Sequence, residues 1–164
     1  MKEIGTELFN KLSGMAEVSV RKRSHNNLHQ TLDDPIHRLC VGIEPGSYIR
    51  PHRHTEAWKW ELFVILQGAA SIMSFDDKGI LMSRIDISPN GAVRAVEIPP
   101  GTWHTLLSRE KGTVLFEIKA GPYAPLPEYN FASWAPEEGS DKALSFETQL
   151  HTLEVGKSAA DLIL

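Results

Sequence analysis

The stretch Gly46-Ser47-Tyr48-Ile49-Arg50-Pro51-His52-Arg53-His54-Thr55-Glu56-Ala57-Trp58-Lys59-Trp60-Glu61-Leu62-Phe63-Val64-Ile65-Leu66-Gln67-Gly68 decides the fold. His52 and His54 are two residues apart. Side chains alternate faces along a strand, so both imidazoles point the same way. Imidazole is the commonest protein ligand for transition metals, and this pair can fill two positions on one ion. Glu61 follows, then an apolar run over residues 62–66, then Gly68. A second stretch, Ile98-Pro99-Pro100-Gly101-Thr102-Trp103-His104, ends a strand at the prolines, turns at Gly101 and returns with another imidazole. His52, His54, Glu61 and His104 together make a metal shell. Mixed imidazole and carboxylate ligands suit one divalent transition metal ion, whether Fe, Mn, Ni, Zn or Co, and geometry decides among them. Glu56 lies two residues after His54 and rivals Glu61 as the carboxylate ligand.

Around this core the chain reads as successive short strands, over residues 38–44, 48–54, 61–66, 69–75, 80–87, 92–98, 103–107 and 113–119. Short strands separated by turn signals predict a sandwich or barrel. Gln67-Gly68 reads as a hairpin turn, and Asp76-Asp77-Lys78-Gly79 as another. Glu117 reads as an outward charge. Ile4, Leu8, Phe9, Leu12, Met15 and Ala16 keep helical spacing and predict a helix ending near Gly14. Residues 121–136 are rich in proline and aromatics and read as an extended strap. Residues 141–153 have helical capacity, and 156–164 are expected to fray. The domain reading is a helical arm over 1–19, a barrel over 20–120, and a strap with helical tail over 121–164.

The stretch before the first barrel strand carries a second signal. Arg21, Arg23, His25, Asn27 and His29 alternate, so in a strand all five lie on one face. Two readings stay open. One is a solvated edge strand, whose charges block edge-to-edge pairing. The other is a wall of a polar pocket, in which Arg21, Arg23, Asn27 and His29 bind a carboxylate or phosphate. Arginine suits both anions because its planar fork donates in pairs.

At 164 residues with 41% hydrophobic content, the chain can bury one substantial core. A formal net charge of −4 gives no case for nucleic acid or membrane surfaces as partners. No apolar stretch is long enough to span a bilayer, and the first residues lack the apolar run of a secretory signal, so a cytoplasmic location is expected. Cys40 is the only cysteine and sits in an apolar strand-like setting, which predicts a buried thiol.

The two metal stretches resemble the cupin signatures. Gly46-x5-His52-x-His54, Glu61-x6-Gly68 and Pro99-x-Gly101-x2-His104 carry the likeness. The gap between His54 and Glu61 is longer than usual for that family, because residues 55–60 add a loop. Register to Gly68 favours Glu61 over Glu56. Ser108 stands where the second signature usually has Asn. More narrowly, the chain resembles the WbuC family of cupin-fold metalloproteins. Arg21-x-Arg23, Asn27-Leu28-His29, Arg38, residues 48–54, Lys59-Trp60-Glu61-Leu62-Phe63, Gly101-Thr102-Trp103-His104-Thr105, Gly121-Pro122-Tyr123 and residues 134–139 carry it in order. The resemblance implies an all-β cupin barrel (double-stranded β-helix or jelly roll) with flanking N- and C-terminal helical segments. It also implies an association with O-antigen, hence lipopolysaccharide, biosynthesis, and it supplies no reaction. Three functional classes remain open. They are a metal-dependent sugar or sugar-nucleotide isomerase, epimerase or lyase, an Fe-dependent dioxygenase, and a non-catalytic ligand-binding or regulatory cupin. The expected partner is a small anionic or sugar-derived molecule. Barrels of this kind leave edge strands that seek a partner, so a homodimer is expected, with the N-terminal segment contributing.

Overall fold

The protein is described here from a computed structural model covering residues 1–162. The elements in chain order are α1 (Thr6–Val18), β1 (Arg23–Asn27), β2 (Ile36–Ile43), β3 (Glu61–Gln67), β4 (Ala70–Phe75), β5 (Leu81–Ile87), β6 (Ala95–Ile98), β7 (Trp103–Ser108), β8 (Thr113–Ala120) and α2 (Ala143–Leu150). A five-stranded sheet runs β1-β2-β8-β3-β6, and a three-stranded sheet runs β5-β4-β7. Neighbouring strands pair antiparallel throughout.

Period-two patterning explains how the two sheets close on each other. Ile43, Ile65, Ile98 and Leu115 from the larger sheet meet Ala70, Ile72, Ile87 and Leu106 from the smaller one in a single apolar cluster. That cluster fixes the inner faces. The opposite faces are sealed by helices. Leu8, Phe9 and Leu12 of α1 pack on Cys40, Val114 and Phe116 behind the large sheet. Gly42 permits this approach, since a Cβ there would lie 2.9 Å from the Leu12 backbone. Behind the small sheet, Met73, Phe75, Trp103 and Leu107 are covered by Phe146 and Leu150 of α2 and by Ala132 and Ala135 of the strap.

Four local expectations are corrected. Helix α1 runs through Gly14 to Val18. One glycine costs a helix about 1 kcal/mol, and burial of Ala16 beyond it holds the last turn. Gly68 makes no hairpin: β3 and β4 belong to different sheets, so this turn is a corner between layers. Its φ of +75° and the Thr113 side chain, 2.5 Å from where a Cβ would sit, require glycine. Residues 48–54 form no ladder, and His52 alone makes isolated bridges, to His104 and to Phe131. Pro51 has no N–H to give, and Arg53 N–H donates instead to the strap, at Asn130 O, 2.9 Å. The tail is tied down as far as Leu162. Gly156 N–H donates to Leu81 O, Leu81 N–H to Lys157 O and Ala159 N–H to Gly79 O. The fraying expected for residues 163–164 lies outside the described residues.

Candidate metal centre and its cavity

His52 is pinned between β7 and the strap. Its N–H donates to His104 O at 3.0 Å, and His104 N–H donates back at 2.9 Å. Two residues on, His54 O accepts from Gly101 N–H in the proline-glycine turn. Glu61 opens β3, opposite Ile98 on β6 and Lys119 on β8. The ligand atoms of His52, His54 and Glu61 all lie within 4.8 Å of one another. His104 stands outside that set, yet its Nε2 is 2.9 Å from Glu61 Oε2. Glu61, not Glu56, is the carboxylate that faces the histidines. Glu56 stays in the 55–60 loop, 3.1 Å from Lys59.

Hydrogen bonds fix the tautomers of two rings. His52 Nδ1 lies 3.0 Å from Arg50 O and His104 Nδ1 lies 2.9 Å from Thr102 O. A carbonyl only accepts, so each Nδ1 carries the proton and each Nε2 keeps its lone pair for the site. Glu61 Oε1 is 3.2 Å from His54 Nε2. These nitrogen–oxygen approaches have hydrogen-bond lengths without hydrogen-bond angles: His54 Nδ1 and Nε2, His104 Nε2 and Glu61 Oε2 are buried with no hydrogen-bond partner. Buried polar atoms are normally satisfied, and so many unsatisfied at one point fit a cation held among them.

Charge follows the same geometry. Burial, then the neighbouring His104, pushes the His52 ring down to about 3, against the pull of Glu61. Burial alone would raise the Glu61 carboxyl, but His104, His54 and Lys119 hold it well below the usual carboxylate range. Lys119 Nζ sits 3.5 Å from Glu61 Oε1 and in closer contact with Glu117. Burial opposes its charge, and the two carboxylates win, holding the ammonium above its ordinary range.

The centre opens into a cavity of about 300 Å³ lined by His52, His54, Arg50, Lys119, Arg23 and Phe131, among others. A second compartment, of about 640 Å³, continues along β1 and β2. All five alternating residues of the first stretch, Arg21, Arg23, His25, Asn27 and His29, line it. Register explains why. Arg23 opposes Ile43, His25 opposes Val41 and Asn27 opposes Leu39, all on the face that carries the inner core. The strand itself covers only Arg23–Asn27, with Arg21 in the turn before it and His29 beyond its end.

The structure adds residues that the sequence reading missed. Glu138, two residues past the strap, takes Arg23 in a paired contact at 2.7 and 2.9 Å and Arg21 at 2.8 Å. Arg23 is further held by Tyr48 O at 2.9 Å. Nothing local in the sequence links residues 115 apart. Glu117 is a correction: it is 8% exposed and faces the cavity, not solvent. The signal was present, because Leu115, Glu117 and Lys119 alternate on one face of β8. Among the tryptophans, Trp103 is buried and Trp134 packs on Phe75, whereas Trp58 is 62% exposed.

A comparison with curated proteins finds no match. Solved structures show the fold. A protein of Shewanella oneidensis aligns with a TM-score of 0.54 at 12% identity, over 70% of this chain and 78% of that one. A cupin superfamily protein of Desulfitobacterium hafniense aligns with a TM-score of 0.50 at 18% identity, over 73% of this chain and 93% of that one. The DMSP lyase DddQ of Ruegeria pomeroyi aligns with a TM-score of 0.50 at 18% identity, over 66% of this chain and 52% of that one. At these identities the likeness establishes a cupin barrel and leaves chemistry to the site itself. A family model also matches, over residues 4–87, and the chain therefore belongs to the family described as Domain of unknown function (DUF6016).

Proposed function

We propose that this protein is a metal-binding cupin whose cavity takes a small anionic or sugar-type ligand beside the ion. The observation that carries the reading is the convergence of unsatisfied His54, His104 and Glu61 atoms behind a cavity that His54, Arg23 and Lys119 line. His52, His54, Glu61 and His104 would hold one divalent transition ion, which supplies Lewis acidity toward a ligand oxygen. The Nδ1–H bonds to Arg50 O and Thr102 O orient two of those rings. Arg21, Arg23, Asn27 and His29 would hold the ligand, with its anion exchanging against Glu138. Phe131 and Ile49 keep that wall of the cavity apolar and limit water there. The WbuC-like motifs support a place in lipopolysaccharide biosynthesis, as well as the division into a helical arm, a barrel and a strap with tail. Metal content tests the centre. Protein purified from medium supplied with Mn, Fe, Co, Ni and Zn should carry one equivalent of ion per chain. The His52→Ala, His104→Ala double variant should carry under a tenth of that, with its circular dichroism unchanged. A folded double variant with a full metal complement overturns the assignment. Oxygen consumption during turnover would mark the dioxygenase class, and tight binding without product the non-catalytic one.

A further inference from the structure

The two compartments differ in chemistry. The one beside the metal residues is cationic, presenting Arg50, Lys59 and Lys119. The one on β1 and β2 has an apolar floor, Leu39, Val41 and Ile49, edged by His25, Asn27, His29 and Glu117. Arg21, Arg23 and Lys119 line both and form the waist between them.

His29 is the sharpest feature of the second compartment. It is 6% exposed, and its Nε2 has no hydrogen-bond partner. Arg38 N–H and Arg38 O lie 3.2 and 3.1 Å from His29 Nδ1, so that nitrogen has a partner in either tautomer. Nε2 is left as a buried polar atom without a partner, donor or acceptor according to the tautomer, in a ring that lines an open cavity. One face of the ring is covered by His37, stacked at 4.1 Å and 8°. His37 is itself fixed by Nε2–H donating to Leu32 O at 3.0 Å. So His29 offers a ligand its Nε2 edge rather than its π-face.

Across the sheet, Asn27, Leu39 and Glu117 are direct neighbours in register on three adjacent strands. An amide and a carboxylate therefore flank an apolar side chain, about 10 Å apart at two strand spacings. This set mixes an unpartnered imidazole nitrogen, a carboxylate acceptor and an amide that both donates and accepts, over a nonpolar floor. A hydroxyl both donates and accepts, so hydroxyls answer such a set where a purely donating or accepting group cannot. A pyranose ring presents hydroxyls at its rim and C–H groups on its face.

We infer that the compartment on β1 and β2 is a second subsite, and that it takes a glycosyl unit of the ligand. The ligand's anionic group then lies at the waist, among Arg21, Arg23 and Lys119. This assignment rests on the anionic-ligand reading above and adds the chemical class of the rest of the molecule: a hydroxylated ring carrying an acid.

The test uses metal-loaded full-length protein and three probes by titration calorimetry: D-glucuronate, which has ring and acid, D-glucose, which has the ring alone, and acetate, which has the acid alone. D-Glucuronate should bind at least tenfold more tightly than acetate. His29→Phe should remove that advantage while leaving metal content within twofold. Asn27→Ala, at an exposed position that leaves the core intact, should reduce the advantage at least threefold. In histidine-labelled protein, the His29 Nε2 resonance should move with D-glucuronate and stay still with acetate. Equal affinities for D-glucuronate and acetate overturn the subsite, and so does an advantage that survives both variants. Absence of acetate binding overturns the anion reading instead. In that case D-glucose binding that His29→Phe abolishes would still uphold the glycosyl subsite, and no binding of any probe would end both.

Discussion

Acid should destabilise the metal-free protein through His52. Burial and the nearby His104 hold this ring neutral down to a pKa of about 3, against an ordinary 6.5. The unfolded chain protonates the same ring below pH 6.5, so between 6.5 and 3 the unfolded state binds the extra proton. Stability therefore falls as pH falls, by about 1.4 kcal/mol per pH unit for one proton. From pH 6.5 to 4.5 the ceiling is about 2.7 kcal/mol. The unfolded ring is only half protonated at pH 6.5, which brings the expected loss to about 2 kcal/mol. Glu61 works in the same sense but in a lower window. Its depressed carboxyl contributes stability above the ordinary 4.5 that is lost below it. Measuring above pH 4.5 sets Glu61 aside, and comparison with a His52→Gln variant isolates His52.

The assay is urea unfolding in EDTA at pH 7.5, 6.5, 5.5 and 4.6, for wild type and His52→Gln. Wild type should lose about 2 kcal/mol more than the variant over that range, since only the variant lacks the ring that titrates on unfolding. Parallel curves would show that His52 protonates as easily folded as unfolded, and the account of a buried, lone-pair-presenting Nε2 would fail. Restoring a divalent ion should steepen the wild-type dependence further, because protons and metal compete for the same nitrogens.

Gly42→Val should cost about 1 to 3 kcal/mol in urea unfolding, because its Cβ meets the Leu12 backbone and α1 must lift. Cys40 is fully buried and burial raises its thiol pKa, so a thiol reagent should label it only at the rate of global unfolding. Glu138→Gln should raise the affinity for acetate or inorganic phosphate several-fold, by freeing the guanidinium groups of Arg21 and Arg23, and an unchanged affinity would remove Glu138 from the ligand's path. Light scattering at micromolar concentration should give a dimer. The exposed Val18 and Val20 beside edge strand β1 are the surface to disrupt, and a monomeric wild type would rule the dimer out.

The candidate metal residues were legible as a group because their signal is local. His52, Pro51 and His54 fall within four residues, and Pro99, Gly101 and His104 within six, so spacing alone constrains geometry. What spacing could not show is that residues 51–53 are held by single bridges to two different partners, β7 on one side and the strap on the other. Proline removes one donor there, and the pairing is completed by residues some 50 and 80 positions away. The same limit hid the corner at Gly68. A glycine with positive φ reads alike in a hairpin and in a crossing between sheets, and only the contest among long-range pairings for β3 decides: β6 and β8 win over β4.

The face of β1 was ambiguous for a different reason. Alternation assigns Arg21, Arg23, His25, Asn27 and His29 to one side and is silent on which side that is. The answer lies in β2, where Leu39, Val41 and Ile43 stand opposite Asn27, His25 and Arg23 and continue into the inner core. The smaller sheet has three strands against five, so it cannot cover the whole inner face of the larger. Where cover is missing, the inner face must be wet or meet a ligand, and there an inward row of polar residues carries little desolvation cost. Glu117 follows from the same mismatch. On a fully covered strand an inward carboxylate would be expelled, but on β8 it borders the cavity and has Lys119 beside it. The unequal sheets thus set where polar side chains can turn inward, and the candidate metal residues His52 and His54 border the same polar cavity.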